Sequence, residues 1–188
     1  MKRIILLLGM MVLASAGARA QVVVSSGSGP GQDCYIHARF GYNPVEGVKA
    51  CTIALGQVQT TNDRAATYDN LGIILNQEGR FDEAASDFSR AAMLRPDLGD
   101  AYINIGSVLI RKKSYEDALV QINKGMALGP SFPHIGYYDR ALALEFLGRY
   151  REAYFDYKKA LEIEPNFILA SERLKDFVVT TVPAKQPG

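Results

Sequence analysis

Ala65–Leu98 reads AATYDNLGIILNQEGRFDEAASDFSRAAMLRPDL, and the chain repeats that text twice more. Gly99–Phe132 (GDAYINIGSVLIRKKSYEDALVQINKGMALGPSF) and His134–Phe167 (HIGYYDRALALEFLGRYREAYFDYKKALEIEPNF) follow in register at a period of 34 residues, with Pro133 the single extra residue. A fixed period of that length marks a repeat array, in which each unit buries its apolar face against the next.

The shared positions have a packing logic. Counting each copy from one, position 8 holds Gly72, Gly106 and Ala141, position 20 holds Ala84, Ala118 and Ala153, and position 27 holds Ala91, Gly125 and Ala160. Helices approach to roughly 8–10 Å where the side chains at the crossing are short. Larger residues fill the space around them: Tyr68, Tyr102 and Tyr137 at position 4, Leu75, Leu109 and Leu144 at 11, and Phe88, Ile122 and Tyr157 at 24. Each copy breaks in its middle, at Gly79-Arg80, Lys113-Ser114 and Gly148-Arg149, with carboxylates in the turn that follows to meet the positive end of a new helix. The copies close on Pro96-Asp97, Pro130-Ser131 and Pro165-Asn166, where proline disfavours continued helix and the next residue is expected to cap the following one.

These residues resemble the tetratricopeptide repeat (TPR) family. Its pattern is matched by Tyr68, Leu71, Gly72, Leu75, Ala84, Phe88, Ala91 and Pro96 in the first copy. The second copy departs at Ile105 and Gly125. The third departs most, at Arg140, where an apolar residue is usual and a less regular first helix is therefore expected. The resemblance implies an all-α fold, a TPR helix-turn-helix solenoid or α-α superhelix. It covers about 100 of the 188 residues.

Residues 1–20 read as a signal peptide: Lys2 and Arg3, an apolar run from Ile4 to Leu13, and small residues ending Ala18-Arg19-Ala20. The run is too short to span a bilayer, which takes about 20 apolar residues. Cleavage after Ala20 is expected, with no membrane insertion afterwards and a periplasmic, otherwise secreted, location. It would leave 18 basic and 20 acidic residues. So balanced a chain offers no sustained basic stripe for nucleic acid. Residues 21–32, rich in Gly and Ser, read as a flexible linker.

A degenerate helical hairpin is expected over 33–57. Asn43-Pro44-Val45-Glu46 is a helix start, and Val45, Val48, Cys51, Thr52 and Leu55 recur at helical spacing. Aligned with the second helix of a copy, this helix puts Ala54 at position 27, Cys51 at 24 and Cys34 at 7, positions that face one another within a pair. Cys34 and Cys51 are the chain's two cysteines, and an exported chain meets an oxidising compartment, so a disulfide is expected. Two buried thiols are the plain alternative. A redox pair lacks the Cys-x-x-Cys spacing, and a zinc site with His37 lacks a fourth ligand. After the repeats, 168–179 is expected to be a capping helix, with Ala170, Leu174, Phe177 and Val178 on one face. A disordered tail is expected over 180–188.

No catalytic constellation, metal set or cofactor motif emerges. His37 and His134 are far apart in sequence and outside any motif, and His134 is expected at the surface. The expected activity is noncatalytic. The resemblance implies that the first helices line a concave groove in which asparagine at position 6 holds the backbone of an extended peptide; an amide both donates and accepts. Position 6 is Asn70, Asn104 and Asp139, and around it stand Asp69, Ile73, Asp100, Ile103, Arg111, Tyr138, Leu142 and Phe146. The basic clamp that some members use for acidic C-terminal peptides is absent, since positions 2 and 5 of the first two copies are Ala66, Asp69, Asp100 and Ile103. The expected partner is a protein or peptide of the cell envelope held by this scaffold. The alternative is a structural assembly subunit that associates with copies of itself, or within a larger complex, through its convex face or ends.

Overall fold

The computed structural model describes residues 3–7, 29–57 and 59–181. Helices α1 (Pro30–Phe40) and α2 (Pro44–Leu55) form the first hairpin. Three pairs follow: α3 (Thr61–Gln77) with α4 (Phe81–Leu94), α5 (Gly99–Arg111) with α6 (Tyr115–Ala127), and α7 (Pro133–Phe146) with α8 (Tyr150–Ile163). The short α9 (Ile168–Leu174) closes the helical array. Strand β1 (Arg3–Leu7) pairs in parallel with β2 (Phe177–Thr181). The described helices make this an all-α tetratricopeptide-type solenoid.

Local chemistry sets the helix ends. Pro30 and Pro44 occupy the first helical turn, where the missing N–H costs nothing, and Asn43 Oδ1 accepts from the Glu46 N–H at 3.4 Å. Thr60 caps α3 by accepting from the Asp63 N–H. The expected linker over 21–32 is therefore shorter, because Pro30 already starts α1, and the first helix of the first copy starts four residues before Ala65. Within each copy the first helix ends on one left-handed residue, Gly79, Lys113 or Gly148. The next N–H then reaches back to the carbonyl of Leu75, Leu109 or Leu144 at 2.8–2.9 Å, which satisfies an end-of-helix acceptor.

The turns between copies work differently from the expectation. Leu98, Phe132 and Phe167 precede the following helices, and none caps with its side chain. Asp97 instead binds Arg95, and Ser131 gives its N–H and hydroxyl to Asp100. The first turn of α5 thus holds the loop before α7.

Small residues lie where the helices cross. A Cβ on Gly72 would come within 2.6 Å of the Phe88 ring, and Gly106 lies against Ile122. Within the α5–α6 pair, Gly99 and Gly125 meet backbone to backbone, with Ile103 beside them. The core runs along the array in contiguous groups, one around Cys34, Cys51, Leu71, Ile74 and Phe88 and another around Ile122, Leu144, Tyr157 and Phe177. Cys34 and Cys51 are fully buried and paired, with Cα atoms 4.7 Å apart, and they tie α1 to α2.

Two expectations about the third copy and the end are corrected. Arg140 does not disturb α7, because its guanidinium forms a two-pronged pair with Asp156 of α8 at 2.7 and 2.8 Å and reaches Asn123 of α6. The capping helix stops at Leu174 rather than at 179. Phe177-Val178-Val179-Thr180-Thr181 is β-branched beyond its aromatic, favours extended backbone, and enters β2. Phe177 still covers the open end, its ring 5.9 Å from both Tyr154 and Tyr157. Of the expected tail, Thr180 and Thr181 belong to β2, and 182–188 lie outside the described residues. Of the expected signal segment, Arg3–Leu7 form β1 and the remainder lies outside them.

Candidate functional site

The first helices build the inner face. α1 packs on α3, α3 on α5, and α5 on α7, whereas no comparable contact joins α4 to α6 or α6 to α8. Helices that touch on one side of an array and separate on the other bend it toward the touching side. The bend brings the first hairpin close to the last pair, for the Arg39 guanidinium at the end of α1 stands 4.8 Å from the Phe132 ring at the start of α7.

Along this face the side chains form a rung between copies. Asn104 Nδ2 on α5 donates to Asp69 Oδ1 on α3 at 3.0 Å. Burial raises the Asp69 carboxyl to about 7; the Asn104 bond opposes the shift and the neighbouring Asp100 adds to it. Asp139 on α7 is also raised to about 7 by burial, offset in part by the Arg111 charge on α5. Asn70 is half-buried, with no hydrogen bond from its amide to the described residues.

The remaining sequence candidates divide. Arg111 is exposed, 5.9 Å from the Phe81 ring, and Phe146 is exposed and stacked on Tyr115 at 4.8 Å; both stand at the end of the inner face. Ile73 is half-buried beside the first core group. Asp100 is committed to Ser131. Ile103 is 3% exposed and wedged against Gly125 and Gly136, so it packs the joint between copies. Tyr138 lies on Phe167 and Tyr157, and Leu142 packs on the core. The inner face therefore offers amides and carboxyls from Asp69, Asn70, Asn104 and Asp139, with a cation and an aromatic at its edge.

Several residues escaped sequence reading. His134, expected at the surface, is half-buried with its ring edge-on to Phe132 and Phe167 at 6.2 and 5.0 Å. Burial lowers its pKa; Glu164 opposes the shift and Arg39 adds to it. Glu145 accepts from the Tyr157 hydroxyl at 2.8 Å and from Arg173 at 3.4 Å, which ties α9 to α7 and α8. No sequence signal points to these contacts, because His134, Glu145 and Arg173 lie outside the shared packing positions of the copies. Among the described residues no three histidine, cysteine, aspartate or glutamate side chains are grouped to hold a metal, and no helix is long and apolar enough to cross a membrane.

Comparison with known proteins agrees with this geometry. Residues 65–98 and 134–167 each match a tetratricopeptide repeat model. Sperm-associated antigen 1 of Mus musculus is 34% identical over 102 residues, 50% of this chain and 11% of that protein. Tetratricopeptide repeat protein 13 of Homo sapiens is 32% identical over 118 residues, 59% of this chain and 14% of its own. The chain spans between 7% and 22% of the length of the curated relatives it matches. Among solved structures, the first TPR of Spaghetti (RPAP3) bound to the HSP90 peptide SRMEEVD is 26% identical, with 61% of this chain and 92% of that one aligned and a TM-score of 0.57. The first TPR domain of human RPAP3 is 28% identical, with 60% and 87% covered and a TM-score of 0.56. MamA, at 21% identity and a TM-score of 0.57, shares the fold over 77% of this chain and 80% of its own.

Proposed function

We propose that this tetratricopeptide repeat array is a noncatalytic scaffold of the cell envelope, exported by its signal segment, that holds an extended segment of a partner protein in the groove of α3, α5 and α7. The observation that carries the reading is the line of polar side chains on the inner face: Asn70 without a hydrogen bond among the described residues, Asn104 bridging to Asp69, and Asp139 beyond. Amides and carboxyls so spaced match the N–H and C=O groups of an extended chain. The RPAP3 domain solved with SRMEEVD lends support, being similar in fold and above a quarter identical in sequence. That peptide carries three acidic residues, whereas aspartates stand at several inner positions here, so the same ligand is not expected. Asn70→Ala with Asn104→Ala should weaken partner binding about tenfold or more while helicity by circular dichroism is unchanged. Unchanged affinity in the folded double variant would remove the groove reading.

A second reading has one observation in its favour. Ile168 and Leu169 at the start of α9 are 70% and 55% exposed, an apolar step at one end of the array that a second copy could cover. Concentration-dependent mass by light scattering, reversed by Ile168→Ser, would support self-assembly; a constant monomer mass would dismiss it.

A further inference from the structure

Resting on the groove reading, one position singles out the kind of segment the groove takes. In the rung between the first two copies, position 5 of one copy faces position 6 of the next: Asp69 accepts from Asn104. The same geometry makes Ile103 the counterpart of Asp139, one copy further along. Isoleucine has nothing to donate, and Ile103 is in any case buried in the joint between copies. Asp139 is thus left 8% exposed without a hydrogen bond or ion pair among the described residues. Its nearest opposite charge, Arg111, lies exposed beside the Phe81 ring and does not close on it. Nor are its oxygens fully sealed in, unlike the partnerless Gln59 Oε1 and Asn76 Oδ1. A buried carboxylate is costly unless a donor or a cation meets it. The first two copies avoid that cost with amides at the same position, Asn70 and Asn104.

A cation is also what the groove's aromatic lip accepts. The chain's own Arg39 lays its guanidinium over the ring of Phe132, which immediately precedes α7 and stands seven residues before Asp139, an arrangement favourable to a cation on a π-system. We propose that Asp139 is the charge-reading position of the groove, and that the partner segment presents an arginine or lysine to it, flanked by apolar residues. The segment's cation would complete the rung that Ile103 leaves open, giving a charge-assisted bond in a site sheltered from water.

The test uses the full chain and two blocked peptides as probes, acetyl-Gly-Leu-Val-Arg-Val-Leu-Gly-amide and the same peptide with norleucine in place of arginine, titrated calorimetrically at pH 7.5. The wild-type chain should bind the arginine peptide about tenfold tighter. In Asp139→Asn, which has the shape of the residue in the other two copies, the preference should fall to about twofold or less while the norleucine peptide binds as before. Equal binding of both peptides by the wild type, or a preference that survives in Asp139→Asn, would overturn the proposal and leave the groove reading standing. Binding of neither peptide, or affinity unaffected by Asn70→Ala with Asn104→Ala, would overturn both.

Discussion

Asp69 and Asp139 are the inner-face carboxyls whose cost is read most directly from their chemistry. Burial raises each to about 7, so between about pH 4 and pH 7 the folded chain holds protons that the unfolded chain has released. Their stabilising effect is complete below the unfolded value and is lost as pH rises through 7. The upper bound is about 4 kcal/mol per group. The urea midpoint should therefore fall from pH 5 to pH 8, and Asp139→Asn should flatten that fall; an equally steep profile in the variant would contradict the assignment. At Lys113 the backbone is left-handed, with φ 62°, where the equivalent turns of the other copies carry glycine. A side chain there costs about 1–2 kcal/mol, partly offset by the freedom glycine loses on folding. Lys113→Gly should raise stability by about 0.5–1 kcal/mol in urea unfolding, and a destabilised variant would show that the lysine makes contacts worth more than the strain. Residues of this kind divide by how local their physics is. Tyr68, Gly72, Ala84 and Phe88 were legible because each repeats at a fixed offset for packing reasons. Asp139 could be named from its register, but its isolation depends on the isoleucine a whole copy earlier.

At the scale of elements, the first and last pieces carry the least repeat sequence and depend most on particular fastenings. α1 and α2 are joined through Cys34 and Cys51, both fully buried. Closing a loop of this size contributes around 3 kcal/mol in the chain-entropy account. Cys34→Ser with Cys51→Ser should cost that order of stability and raise hydrogen exchange in 30–55 above that in 99–127. Thiol titration of the unfolded wild-type chain should find no free thiol, and two would mean that the cysteines stand reduced. At the other end, Phe177 covers Tyr154 and Tyr157, and Phe177→Ala should cost about 3 kcal/mol; a cost near zero would show that the end of the array is closed without it. The capping function was legible at this end and its form was not. Ala170 and Phe177 both pack inward, yet helical spacing cannot distinguish a helix from a short helix followed by an extended turn back. The β-branched run was the local signal that overrode it, and in the uncleaved chain β1, four-fifths of it isoleucine and leucine, supplies the strand it pairs with.

For the whole molecule, the period of 34 residues settles that the array exists, and the sum of its small rotations settles that the first hairpin approaches the start of α7. The first was readable from three copies in register. The approach of Arg39 to Phe132 required the curvature itself. The same curvature makes one inner face out of three helices, and the central claim is that a partner's extended segment lies against it. The most direct measurement places a photo-reactive residue at Asn70 on α3, inside, or at Ser86 on α4, outside, and identifies by mass spectrometry what each captures in the compartment where the chain resides. Adducts to a partner peptide from position 70 and none from position 86 are the predicted result; capture of the partner from position 86 alone would contradict the account.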